Sequence, residues 1–307
     1  MPVADPVRLG PLAVEMLEGI YQHRLLSSAQ LHEIYTPGRS HEWAHRQIRK
    51  LERAGLAAAV RQPGGRKLLH LTPAGLAMVE SVPRTESRSK LITPEHAAGA
   101  LQRHTLAVND VGVAFLRAAR ERGDGFGPLS WRHEIAHPIG SPVGGRRNEQ
   151  VIADAMLVYE HYEGRSMSFR YRFLELDRNT MPVHALGMKL ARYARVFGYR
   201  APSKKVSLGP RFWETRYRVF PTVMLVLDNG TPRQLRHRRE NALWFAGTEQ
   251  DMRDAPNVKV LACLLSDLQA EGPFARIFRG MRDPERPVDW LGRGEDDEHG
   301  EKDGDGE

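Results

Sequence analysis

The chain has 307 residues, room for two domains, with 41% hydrophobic residues and a formal charge of +7. Its one cysteine, Cys263, excludes an intramolecular disulfide and any zinc site built on several cysteines. No apolar run approaches the roughly 20 residues that span a bilayer. The charge is lopsided: residues 294–307 carry eight acids and one lysine, which leaves a body near +14 that suits a polyanion, nucleic acid by default. The N-terminus has no signal-peptide apolar region, so a cytoplasmic protein with no membrane partner is expected.

Residues 8–82 read as one domain. Leu12, Val14, Met16, Leu17, Ile20 and Tyr21 recur at helical spacing. Ser27 and Ser28 can cap a short helix to Tyr35, and Ser40 caps a third from His41 to Ala54, with Gly55 at its end. Trp43 or Ala44, with Gln47, Ile48 and Leu51, gives that third helix its mostly apolar face. Strands at 57–62 and 66–71 flank Pro63-Gly-Gly65, a hairpin signal, and Thr72-Pro73 opens a further helix. Three helices, a hairpin and a helix describe a winged helix-turn-helix, whose third helix would enter the major groove while the wing touches the backbone or minor groove. His41, His45, Arg46, Arg49, Lys50 and Arg53 on that helix, with Arg61, Arg66 and Lys67 beside the wing, are the expected DNA contacts. A winged helix can also serve as a protein-binding module.

Residues 83–93 are polar and read as a linker. The second domain is expected over 94–275. It opens with a long helix from Pro94 to about Arg122, with His104, Asn109 and Asp110 on its polar side. Strands follow near 129–136, 151–160 and 167–177, then a helix over 182–199. Next come the apolar strand 218–227, a basic helix (Arg233, Arg236, His237, Arg238, Arg239) and a strand near 258–265. This order predicts an α/β sheet with antiparallel hairpins first and a crossover later. Residues 276–307 read as a tail, acidic and disordered from 294.

Tyr171-Arg-Phe-Leu-Glu-Leu-Asp177 carries the chemistry. Glu175 and Asp177 project from one face of a strand, and Asp154 sits inside the apolar run 151–158, where an unpaired carboxylate is costly. If the two runs pair, three acids converge, and Mg²⁺ or Mn²⁺ would relieve their repulsion. The rival is an ion pair with Arg170, Arg172 or Arg178. The Gly-rich stretches 123–127 and 144–145 lack the Lys-Ser/Thr of a P-loop.

An αβββαβ core with an acid on its second strand and an acid pair on its third resembles the restriction-endonuclease-like nuclease fold. That resemblance implies that Asp154, Glu175 and Asp177 hold metal and share catalysis with a lysine. The expected lysine position is occupied by Asp177, so Lys189 on the next helix would supply the amine, and Glu134 would be a further acid. The whole chain, from about residue 15 to 265, resembles the replication-relaxation family of plasmids and mobile elements. The resemblance rests on Leu-Glu-Arg-Ala-Gly-Leu (51–56), Leu-Thr-Pro-Ala-Gly (71–75), His-Thr-Leu-Ala-Val-Asn-Asp-Val (104–111), Ala-Asp-Ala (153–155), Phe-Leu-Glu-Leu-Asp-Arg-Asn-Thr (173–180) and Lys-Leu-Ala-Arg-Tyr (189–193). Ala153 stands where proline is expected before the aspartate. The family implies a DNA-handling protein of replication or mobilisation, with proteins of those processes or a second copy of the chain as partners. Three functions follow from these residues: a metal-dependent endodeoxyribonuclease, a non-catalytic DNA-binding factor, and a winged-helix transcription regulator with a ligand or dimerisation domain.

Overall fold

The computed structural model describes residues 9–62, 65–81, 100–140, 149–200 and 209–295. The chain divides into two compact units: Met1–Leu116 with Gly127–Leu129, and Arg117–Phe126 with Ser130–Glu307. The expected linker 83–93, the arginine-bearing loop 141–148, the wing tip at 63–64 and the acidic stretch from 296 lie outside the described residues. Among the described residues no helix is long and apolar enough to cross a membrane.

In the first unit, α1 (Pro11–His23) buries Ala13, Met16, Leu17 and Ile20. A capping box of Ser27 and Gln30 starts α2 (Ser28–Tyr35), satisfying two otherwise orphaned backbone donors. Ser40 caps α3 (His41–Arg53), which buries the stripe Ala44, Ile48 and Leu51. Gly55 then turns the chain at a φ of 67°, a conformation that favours glycine. Strands β2 (Ala57–Arg61) and β3 (Lys67–Leu71) form the hairpin, and Thr72 caps α4 (Pro73–Glu80). The winged helix-turn-helix is therefore present, with one unforeseen addition: β1 (Leu26–Ser27) pairs with β3, Leu26 opposite Leu69. Two residues are too few to leave a periodic signal.

The long helix α5 (Ala100–Arg122) departs from expectation. Its residues through Leu116 belong to the first unit rather than the second, so the boundary falls later than 94. Asn109 is fully buried, not solvated, and donates 2.8 Å to the Leu25 carbonyl. Gln30 donates to the Leu106 carbonyl at 2.9 Å and to Asp110 at 2.7 Å. Buried amides are retained only where such partners exist, so the polar residues that interrupt the helix pattern fasten α5 to the unit.

The second unit is built on a seven-stranded sheet. β4 (Trp131–Pro138), β5 (Gln150–Glu163) and β6 (Ser166–Asp177) form an antiparallel meander. α6 (Val183–Gly198) crosses to β7 (Thr222–Leu227), parallel to β6. α7 (Pro232–Thr248) and the turn α8 (Gln250–Arg253) lead to β8 (Val260–Leu264), parallel to β7. The strand order is β10-β9-β8-β7-β6-β5-β4, so the most apolar strand, β7, lies at the centre. Pro221 precedes it, where no ladder bond is lost. This is the expected α/β sheet, with antiparallel hairpins first and parallel crossovers later. Leu186, Leu190, Leu235 and Leu243 of the helices pack with Val223, Leu225, Val260 and Ala262 of the sheet.

The segment from 276 is not a tail. After α9 (Leu265–Glu271), β9 (Phe278–Gly280) adds to β8 and β10 (Pro287–Val288) adds to β9. Trp290 is fully buried, with Tyr159 at 4.8 Å and Phe274 at 5.7 Å between ring centres. The Arg172 guanidinium lies 4.6 Å from the Trp290 ring centre. We predict that Trp290→Ala lowers the free energy of unfolding by about 3–5 kcal/mol, read from urea denaturation. Unchanged stability would return this segment to the status of a tail.

Candidate active site

Register assembles the site. Ala155 of β5 faces Leu174 of β6, so one step further along the ladder Asp154 comes abreast of Glu175. The Leu176 amide donates 2.8 Å to Asp154 Oδ2. Glu175 is 1% exposed and, like its register partner Leu225, lies on the sheet face covered by α6. That helix docks through Leu186, Leu190 and Ala194. Between those residues it presents Lys189 and, one turn later, Tyr193. The Lys189 ammonium pairs with Glu175 Oε2 and lies 3.9 Å from Asp154 Oδ1. The Tyr193 hydroxyl donates 2.6 Å to Glu175 Oε1. Each oxygen of Glu175 thus has its own partner, and both come from α6.

Asp177 takes no part in that cluster. Arg238 of α7 holds it bidentately, at 2.5 and 3.0 Å, and also donates 2.6 Å to the Met181 carbonyl. A carboxylate gripped by a planar guanidinium has one lone pair of each oxygen committed to it. The expected three-acid metal set is therefore reduced to two, and among the described residues no group of three or more Asp, Glu, His or Cys is placed to hold a metal. The neutralising arginine is also not one of the neighbours in sequence. Arg178 pairs with Asp228 at 3.0 Å, and Arg172 donates to the carbonyls of Tyr171 and Trp290. Arg192 and Arg195, which follow Lys189 on α6, both hold Glu149. Glu134 stands between His133 and Ile135, the partners of Ala155 and Ala153, and so in line with Asp154. Its φ of 52° interrupts the ladder there, and its side chain is exposed.

Burial pushes the Glu175 carboxyl up to about 7, against the opposing pull of the Lys189 charge. Lys189 is itself raised, because the attraction of Glu175 and Asp154 outweighs its desolvation. Asp154 and Glu175 fit one hard divalent cation, since Mg²⁺ is commonly held by one or two carboxylates with water and phosphate oxygens completing its shell. Lys189 would then have to release Glu175.

In the first unit His45, Arg46, Arg49 and Arg53 line the exposed side of α3, and Arg61 and Arg66 are exposed at the wing. His41 is exposed and its ring lies 4.0 Å from that of His32. Arg49 reaches Glu42 at 3.4 Å, and Lys50 is half-buried. Lys67 does not face outward as expected: it pairs with Glu52 at 2.6 Å and ties the wing to α3. Three residues carry more than was foreseen. Tyr193 falls four positions after Lys189, which puts both on one helix face. Arg238 was visible only as part of a basic helix. Arg39 lies over the Trp43 ring at 6.0 Å, beside the start of α3.

A winged helix followed by a mixed sheet with an Asp–Glu–Lys cluster defines a two-unit α/β class of protein. Residues 17–210, well over half of the chain, match the replication-relaxation family, and the chain belongs to that family. No curated protein matches it. Among solved structures, that of restriction endonuclease FokI aligns with a TM-score of 0.31 at 11% identity, over 89% of this chain and 45% of that one. The chain thus spans less than half the length of that structure.

The site yields two predictions. Glu175 binds its proton more tightly when folded, so its ionisation opposes folding. Stability from this group is full below about 4.5 and lost as pH rises through about 7. Glu175→Gln should flatten the pH dependence of the melting temperature across that window; an unaltered profile would contradict the raised carboxyl. Asp177→Ala should cost about 3–5 kcal/mol by leaving Arg238 without its acid, measured by chemical denaturation. A loss below about 1 kcal/mol would remove Asp177 from the structural pair.

Proposed function

We propose that this protein is a DNA-binding protein of plasmid or mobile-element replication or mobilisation, and that its second unit hydrolyses DNA phosphodiesters with the help of Mg²⁺ or Mn²⁺. The observation that carries the proposal is the meeting of Asp154, Glu175 and Lys189 on adjacent strands and the helix that covers them. A cation held by Asp154 and Glu175 would supply positive charge at the phosphate and a water of lowered pKa. Tyr193 keeps Glu175 in a single orientation. Lys189 carries a positive charge that can be set against a phosphate oxygen, and a charge already in place stabilises a developing anion without reorganisation. Asp177 and Arg238 fix the end of β6 against α7. The exposed cations of α3 and the wing, His45, Arg46, Arg49, Arg53, Arg61 and Arg66, supply the duplex contacts of the first unit. Proteins of replication or mobilisation, and a second copy of the chain, are the partners this reading implies in the cytoplasm.

The test is a combined cleavage and binding assay on supercoiled plasmid, with Mg²⁺ or Mn²⁺ against EDTA. The native protein should nick DNA only with metal. Glu175→Gln and Lys189→Met should each lower the rate by about 100-fold or more while leaving the gel shift unchanged. The Arg46→Ala, Arg49→Ala double variant should weaken duplex binding and flatten its salt slope by about 2. Retarded but uncut DNA, indifferent to metal, would leave a DNA-binding factor without catalysis.

A further inference from the structure

Helix α7 carries basic residues beyond Arg238, which pairs with Asp177. Its buried face is Leu235, Arg239, Ala242, Leu243 and Ala246. On the opposite side, at three- and four-residue steps, lie Arg233, Arg236, His237, Glu240 and Trp244, all exposed. Trp244 is 63% exposed, while Trp131 and Trp290 of the same unit are fully buried and Trp213 is 8% exposed. An indole left in water forgoes a large burial gain, so its place on a surface helix calls for a partner.

We infer that this face of α7 binds single-stranded DNA, a base stacking on Trp244 while Arg233, Arg236 and His237 meet the phosphates. One exposed indole on the same helix face as a run of basic residues suits a strand that offers an aromatic face and an anionic backbone in alternation. A second copy of the chain would require a broader apolar centre from which charges are depleted. Here Arg233, Arg236 and Glu240 share the stripe with the one large apolar side chain. The same helix is fixed beside the acid–lysine cluster by Arg238, whose partner Asp177 is two residues from Glu175. A strand on α7 therefore lies along an element that frames the cluster. Glu240 interrupts the positive stripe and spaces the aromatic contact from the phosphate contacts.

This inference rests on the protein being DNA-binding and not on cleavage. It is tested with the full chain and a fluorescein-labelled oligo(dT) of 20 residues, by anisotropy at several salt concentrations with EDTA present. Trp244→Ala should weaken binding by about tenfold, and Trp244→Phe should restore most of the loss. The Arg233→Ala, Arg236→Ala double variant should flatten the salt slope by about 1.4. Duplex binding, measured in parallel, should be insensitive to Trp244→Ala and sensitive to the α3 double variant, so failure on single strands is distinguishable from failure of DNA binding altogether. Oligo(dT) affinity unchanged in Trp244→Ala overturns the inference. So does a change from dimer to monomer in that variant by analytical ultracentrifugation with oligo(dT) affinity intact, which would assign the face to a second copy.

Discussion

Two carboxylates abreast in neighbouring strands, under a helix and largely out of water, repel each other strongly. The ammonium of Lys189 makes the arrangement tenable, because it stands within reach of both. Its position depends on the docking of α6. That docking depends in turn on Gly187, where a Cβ would come within 2.4 Å of the Phe245 Cβ on α7. The glycine lets the two crossover helices approach, and their approach brings Arg238 to Asp177. The acids at the end of β6 and on β5 are thereby sorted into two sets, one held by a lysine and one by an arginine.

The two cations hold their acids in different ways. A bidentate arginine pair is rigid and leaves little for a third party. A lysine is a compact charge on a flexible stem, and it can move from one anion to another. Asp177, gripped by the arginine, therefore serves the fold, while Asp154 and Glu175 face a cation on a flexible stem. Tyr193 adds a second restraint on Glu175 without adding charge.

Much of this was legible in the chain, for reasons that differ by element. The caps at Ser40 and Thr72 and the left-handed Gly55 are local and could be read residue by residue. The alternation that places Glu175 and Asp177 on one face is equally local. Which acid meets which cation is not, since Arg238 comes from 61 residues beyond Asp177 and only the packing of α6 on α7 decides it. Lys67 is a like case: its partner Glu52 belongs to the adjoining helix. The polar residues of α5 looked solvated because periodicity reports a helix face without saying what covers it. β1, β9 and β10 are two or three residues long, below the length at which alternation is detectable.

The ends of the large sheet have a consequence for the protein at high concentration. An exposed strand edge is a template for another chain, and long flat edges invite fibrous aggregation. Here β10 contributes two residues, the first of them Pro287, which has no amide hydrogen to offer. At the other margin Glu134 breaks the regular ladder of β4 with its positive φ, and Arg132 and Glu134 are exposed. Both borders of a broad, strongly apolar sheet are thus closed to edge-to-edge growth, and the protein can be concentrated without its sheets joining to one another.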